Sequence, residues 1–181
     1  TDIWQGGMAI QGGIIFACIA AYFYLKKHQI PVLPFADTVT PGIILGQAIG
    51  RIANFMNGDA FGHPTGQDFG LLYPDTTLAY HTYGAQPLWP AEVWECQGDL
   101  LIFVLLLWYG CKTRAEGTTF CLYIMFYSLL RFFLENYRGD YGTLALGLKS
   151  AQLTSLAAFA GAFILFLYFH FKHKSKSGIS E

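Results

Sequence analysis

The sequence predicts an all-α fold, a polytopic membrane helix bundle of about five spans, with a small extracytoplasmic segment between the second and third. Three observations predict it. The 181 residues are 54% hydrophobic and only 13% charged, where a soluble domain carries about 25% charged residues. The apolar residues gather in runs close to the ~20 needed to cross the hydrocarbon of a bilayer. The basic residues recur at alternate ends of those runs, as the positive-inside rule expects.

Residues 3–25 carry no charge and stop at Lys26 and Lys27, which reads as the first span. Gly6, Gly7, Gly12 and Gly13 within it are the small residues that let membrane helices approach closely. Residues 26–37, with Pro31 and Pro34, read as a polar connection. A second helix is expected over residues 38–56, with Pro41 in its first turn, where a missing N–H costs little. Residues 57–90 are rich in Gly, Pro, Thr, Asp and Tyr and hold no spanning run. They read as an extracytoplasmic or interfacial insertion with short strands around residues 69–73. Tyr73, Tyr80, Tyr83 and Trp89 suit a membrane–water boundary.

A third helix is expected over residues 91–111, with Glu92, Glu95 and Asp99 near its start, where acids complement the helix dipole. Residues 112–117 form a polar turn. The fourth helix runs from 118 to about 137 and carries Arg131, Glu135 and Arg138 at its far end. After a loop at 141–149, a fifth span covers 150–171, followed by a basic cytoplasmic tail at 172–181. The whole is one integral membrane domain, 1–181. If every run crosses, Lys26, Lys27, Lys112, Arg114, Lys172, Lys174 and Lys176 share one side. That is seven of the eleven basic residues. This side is then cytoplasmic, and residues 57–90 lie outside.

Composition also excludes functions. A net charge of −1 gives no reason to expect nucleic acid as a partner. Cys18, Cys96, Cys111 and Cys121 sit singly in apolar surroundings, without zinc spacing or a disulfide framework, and read as small apolar packers. No basic stretch precedes the first apolar run, so no signal peptide is expected. His63 and His81 are too far from other ligand types for a metal site. No cofactor is expected, and no nucleotide fingerprint is present.

The polar residues are the informative ones. Between Gly50 and Gly62 the chain presents Arg51, Asn54, Asn57 and Asp59 directly after an apolar run. Charges at membrane depth are expensive and usually functional. Arg51, Asn54 and Asn57 are three residues apart, while Arg131, Glu135 and Arg138 share one helical face. Both groups fall at the outer ends of their helices and can meet. Three guanidinium groups beside two carboxylates, Asp59 and Glu135, would leave positive charge for an anion. A guanidinium binds phosphate through a planar fork, and phospholipid headgroups are the phosphates at that depth. Simple pairing of Arg131 with Glu135 and snorkelling of Arg51 is the competing account.

Four blocks carry a resemblance: residues 3–13, 50–62, 86–95, and 127–140 with Arg131, Glu135, Arg138 and Asp140. Together they resemble the bacterial prolipoprotein diacylglyceryl transferases, in the family's order and over nearly the whole chain. Residues 147–152 look like a looser version of a further family segment. The resemblance implies transfer of the diacylglyceryl group of phosphatidylglycerol to the lipobox cysteine thiol of a preprolipoprotein signal peptide. Glycerol phosphate would leave. It implies catalytic roles for Arg51, Arg131 and Glu135, and substrate binding by Gln11, Asn54, Asn57, Asp59, Gly62 and Arg138. It also implies a bacterial cytoplasmic membrane, with the active site facing outward and the C-terminus inside. Family members have further spans before the first block, so the sequence is expected to be N-terminally incomplete. Many members carry histidine where this chain has Gln11, and a glutamine cannot act as a general base near neutral pH. The alternative is a non-catalytic membrane protein that binds anionic phospholipid or signal peptide.

Overall fold

A computed structural model of the chain describes residues 10–111, 115–139 and 149–177. Its elements are α1 (Ile10–Lys27), α2 (Val32–Asn57), α3 (Leu78–Tyr83), α4 (Ala91–Gly110), α5 (Thr118–Leu134) and α6 (Ser150–Ser177), with a 3₁₀ turn at Glu135–Tyr137 after α5. The described residues are helical with isolated bridges and no extended strand. Among them, three helical stretches are long and apolar enough to cross a membrane: Val32–Asn57, Thr118–Tyr137 and Ser150–Lys172. Residues 1–9, Lys112, Arg114, Asp140 and most of the 141–149 loop lie outside the described residues, as does the end of the basic tail.

Helices α2, α4 and α5 pack against one another, α6 lies along α5, and α1 makes a small contact with α2. The core of this packing is Ile44, Ile102 and Leu106, flanked by Phe103, Leu122, Tyr123, Phe126, Tyr127 and Leu130. Elsewhere large apolar side chains point outward, among them Phe16 and Phe23 on α1 and Ile164 and Phe171 on α6. Such faces suit hydrocarbon, which solvates them as well as a protein interior does.

Three expectations need correction. Helix α2 begins at Val32, six residues before the expected start, so Pro41 lies inside it rather than in its first turn. Pro34 costs the helix little, because it stands in the first turn, where its N–H is not needed. The Thr38 and Thr40 hydroxyls also bond the carbonyls four residues back, at 2.8 and 2.7 Å. Asp37, expected in a polar connection, is therefore a helical residue. It is buried and caps α5, accepting the Gly117 and Phe120 amides at 2.7 and 2.9 Å. The strands expected around residues 69–73 reduce to one bridge, Leu71 with Leu88. Prolines at 64, 74 and 87 stop the ladder from extending. The cysteines are free, but only Cys121 is buried; Cys18 and Cys111 are exposed.

The 57–90 segment has its own small core of Phe61, Ala79 and Leu88, with Tyr73 and Tyr83 against it. It is fastened to the end of α5: the His63 amide donates to the Tyr137 carbonyl at 2.9 Å, and the Tyr83 hydroxyl to that of Gly139 at 2.8 Å. Trp89 and Trp94 close on Tyr137, with ring centroids 5.3 and 5.2 Å away. This cap covers the end of the bundle where α2 and α5 finish and α4 and α6 begin.

Candidate active site

That end of the bundle is where the polar residues converge. Helix α2 ends on Gly58, whose positive φ of 67° forms the left-handed cap that glycine favours. The reversal turns Asp59 back over the helix. Its amide donates to the Asn54 carbonyl at 3.1 Å, and its carboxylate accepts from Asn54 Nδ2. Asn54 in turn accepts from Arg51 Nη1 at 3.4 Å. The spacing of Arg51 and Asn54 thus forms a continuous chain of side chains along one face.

Gly62 sits five residues beyond the end of α2 and pairs in a bridge with Arg138. Any side chain there would strike the Trp89 carbonyl, so glycine is required by space. The pairing fixes the backbone from which the Arg138 side chain returns to the cluster.

At the centre stands Glu95 of α4, only 1% exposed at its side chain. Its Oε1 accepts from Arg51 Nη2 at 2.8 Å. Its Oε2 lies 3.3 Å from Arg131 Nη1 and 3.8 Å from Arg138 Nη1. The Tyr127 hydroxyl adds a contact at 3.4 Å. Arg131 uses its second nitrogen for Glu135, 2.9 Å away across one turn of α5. Lys149 Nζ reaches the same glutamate at 4.0 Å and donates to the Glu135 and Arg138 carbonyls at 2.8 and 2.6 Å. Gln152 Nε2 donates to the Phe132 carbonyl and Asn136 Oδ1, at 3.3 and 3.1 Å. Lys149 and Gln152 thereby tie the start of α6 to the end of α5.

The structure thus brings Arg51, Asn54, Asp59, Arg131, Glu135 and Arg138 together as expected, with Gly62 in the supporting backbone. Asn57 is exposed at the end of α2 and does not join the cluster. The side chain of Gln11 lies outside the described residues.

The expected charge surplus is corrected. Glu92, Glu95 and Asp99 read from the sequence as acids complementing a helix dipole, but all three are buried, at 0, 1 and 0% exposure. The site therefore holds five carboxylates rather than two. Their spacing was a usable signal: 92, 95 and 99 mark one helical face, and acids on an otherwise apolar helix need partners. Lys149 and Gln152, set in the looser family segment, carried no such pattern.

The cluster can still hold an anion. Each guanidinium has five N–H donors, and Glu95 occupies only a fraction of them. Arg51 and Arg131 remain 20% and 16% exposed at their side chains, so their free edges are reachable. Beside Arg131 a cavity of about 350 Å³ opens between α5 and α6. Tyr123, Tyr127 and Ser128 line one wall, and Ala151, Thr154 and Ala158 the other.

Comparison with known proteins identifies the family. The family model for prolipoprotein diacylglyceryl transferase matches residues 1–168. A phosphatidylglycerol–prolipoprotein diacylglyceryl transferase of Nostoc sp. is 39% identical over 165 residues, covering 87% of this chain and 58% of the relative. That of Clostridioides difficile is 38% identical over 177 residues, covering 97% and 66%. That of Halalkalibacterium halodurans is 33% identical over 168 residues, covering 92% and 58%. The chain thus spans 58 to 66% of the length of these curated relatives.

Proposed function

The chain belongs to the prolipoprotein diacylglyceryl transferase family, and on that premise we propose that it moves the diacylglyceryl group of phosphatidylglycerol onto a protein cysteine. The acceptor is the lipobox cysteine of a preprolipoprotein signal peptide. Its sulfur attacks the glycerol carbon next to the phosphate, the C–O bond breaks, and glycerol phosphate leaves as a thioether forms.

One observation supports this most strongly. A buried glutamate gathers three arginines from three parts of the chain at one end of an apolar bundle. Arg51 and Arg131 hold the lipid phosphate and stabilise the charge that develops on it as it leaves, the role of preorganised donors in group transfer. Arg138 supports them. Glu95 and Glu135 aim the guanidinium forks. Asn54 and Asp59 shape the turn beneath, Gly62 lets the cap close, and Asn57 and Gln11 meet the substrate. The cavity between α5 and α6 accommodates an acyl chain beside Arg131. Glu135, ion-paired with Arg131, is a candidate acceptor of the thiol proton.

The same reading gives five spans, with the 57–90 segment outside, the C-terminal tail inside, and the protein in a bacterial cytoplasmic membrane. Helices α1 and α4 join the other three, Glu95 of α4 being neutralised by arginine rather than by water. Cysteines placed at Thr65 and at the exposed Thr76 should then label from outside and at Lys174 from inside. Labelling of the Thr65 position only from the cytoplasm would overturn the orientation.

The enzymatic test uses the full-length protein in vesicles of phosphatidylglycerol with a lipobox peptide. A diacylglyceryl mass increase on the peptide cysteine is expected. Phospholipid binding without any mass increase, in folded protein, would favour the non-catalytic alternative.

A further inference from the structure

Glu92 and Tyr73 stand beside the arginine cluster but take no part in holding it together. Glu92 lies in the first turn of α4 and is fully buried. Its Oε1 accepts from the Tyr73 hydroxyl, and its Oε2 has no hydrogen-bond partner. A buried carboxylate oxygen left without a donor costs stability and calls for an explanation. Packing alone does not supply one, because an amide would fill the same space and still accept from the tyrosine.

Tyr73 comes from the cap, 19 residues before Glu92. Its ring meets Phe55 of α2 edge-on, with centroids 6.5 Å apart, and rests on the Phe61, Ala79 and Leu88 cluster. Unlike Glu92, it is only partly buried. The charged groups that face Glu92 are Arg51 from α2, Asp59 from the turn after it, and Arg138 from beyond α5. Glu95 follows one turn along its own helix. A partly exposed hydroxyl backed by a buried carboxylate has the geometry of a base oriented by a second group.

We propose that Tyr73 and Glu92 form a proton relay that activates the substrate thiol. This rests on the transfer reading above, which needs a thiol of pKa ~8.5 to react as thiolate. The Sγ–H proton passes to Tyr73 Oη while the tyrosine's own proton passes to Glu92 Oε1. The sulfur electron pair forms the bond to the glycerol carbon, and the C–O electron pair leaves on the phosphate oxygen. The products are the thioether, glycerol phosphate and one proton on Glu92, which returns to water through Tyr73. Tyr73 is then a catalytic residue, and Glu92 is the positioning residue behind it. The relay supplies a function that Gln11 cannot, since a carboxamide does not accept a proton near neutral pH.

The test measures transfer by the full-length protein in phosphatidylglycerol vesicles against pH, using peptides with cysteine or selenocysteine at the acceptor position. Tyr73→Phe and Glu92→Gln are each expected to lower kcat at pH 7 by roughly a hundredfold, the usual scale for losing a general base. KM for the peptide should hardly move. The deficit should shrink as pH rises toward 9, and the selenocysteine peptide, already ionised, should erase most of it. The double variant should be no slower than either single one, because the two groups act as a unit. Glu92→Asp, which keeps the carboxylate, should retain a measurable pH-dependent rate and covers the case in which Glu92→Gln folds poorly. Equal loss at every pH with both peptides would overturn the relay and leave Tyr73–Glu92 as a structural tie. Wild-type rates in Tyr73→Phe would also overturn it. An inactive wild-type protein is a separate result, one that removes the transfer reading itself and the relay with it.

Discussion

The two ends of α5 each bury a carboxylate, and they do so by opposite means. At the N-terminal end Asp37 accepts two backbone amides, from Gly117 and Phe120. At the C-terminal end Glu95 faces the guanidinium groups of Arg51, Arg131 and Arg138. Backbone donors belong to the helix and cannot leave it without unwinding its first turn. Side-chain donors can rotate, and a guanidinium has N–H groups to spare. The first arrangement holds the bundle together. In the function proposed above, the second holds Arg51 and Arg131 ready for an anion that competes with Glu95 for them.

The comparison breaks most sharply at Glu95. Removing one member of a buried ion group leaves the others uncompensated, at a cost of about 3–5 kcal/mol. Glu95→Leu should therefore lower unfolding free energy in detergent by that order and abolish transfer. Unchanged stability would mean that the arginines are already neutralised by Glu92, Asp99 and Glu135.

Asp37→Ala should be nearly as costly to stability. It removes two hydrogen bonds to a charged acceptor, each worth about 1.5–3 kcal/mol. Near the transition the folded fraction should fall, while kcat per folded molecule stays close to wild type. A large drop in kcat at full folding would show that the two ends of α5 are coupled and not merely different.

The arginines should give the reverse pattern. Arg51→Lys and Arg131→Lys keep the charge but lose the planar fork. Each should slow transfer about ten- to a hundredfold, equivalent to 1.5–3 kcal/mol at the transition state. Melting in detergent should change little. Wild-type rates in both would mean that the cluster is purely structural. Glu135→Gln sharpens the distinction further. If Glu135 only aims Arg131, its loss should be smaller than that of Arg131→Lys and constant with pH. A larger loss that recovers at high pH would make Glu135 the thiol's proton acceptor in place of Tyr73.

The least effect is expected where neither end is touched. Cys18 is exposed on α1, and Cys18→Ser should leave transfer and stability within about 0.5 kcal/mol of wild type. A larger change would give α1 a role beyond its contact with α2.

The sequence by itself determined the helical class and the position of most helices, because apolar runs of that length have few alternatives. It also marked Arg51, Asn54, Asp59, Arg131, Glu135 and Arg138 as residues able to meet in one polar cluster, because charges in such runs are conspicuous and their spacing marks helical faces. Only the tertiary structure decided what those charges face. Glu95 resembled an ordinary helix-start acid, and Asp37 an ordinary connector, since an acid on a helix looks the same whether water or arginine solvates it. The partners of Glu95 lie 44 residues before it, at Arg51, and 36 after it, at Arg131. The amides that Asp37 binds lie 80 and 83 residues away. Separations of that size leave no periodic trace in the chain. They are fixed by how α2, α4 and α5 pack, and so by the burial of Ile44, Ile102 and Leu106 between them.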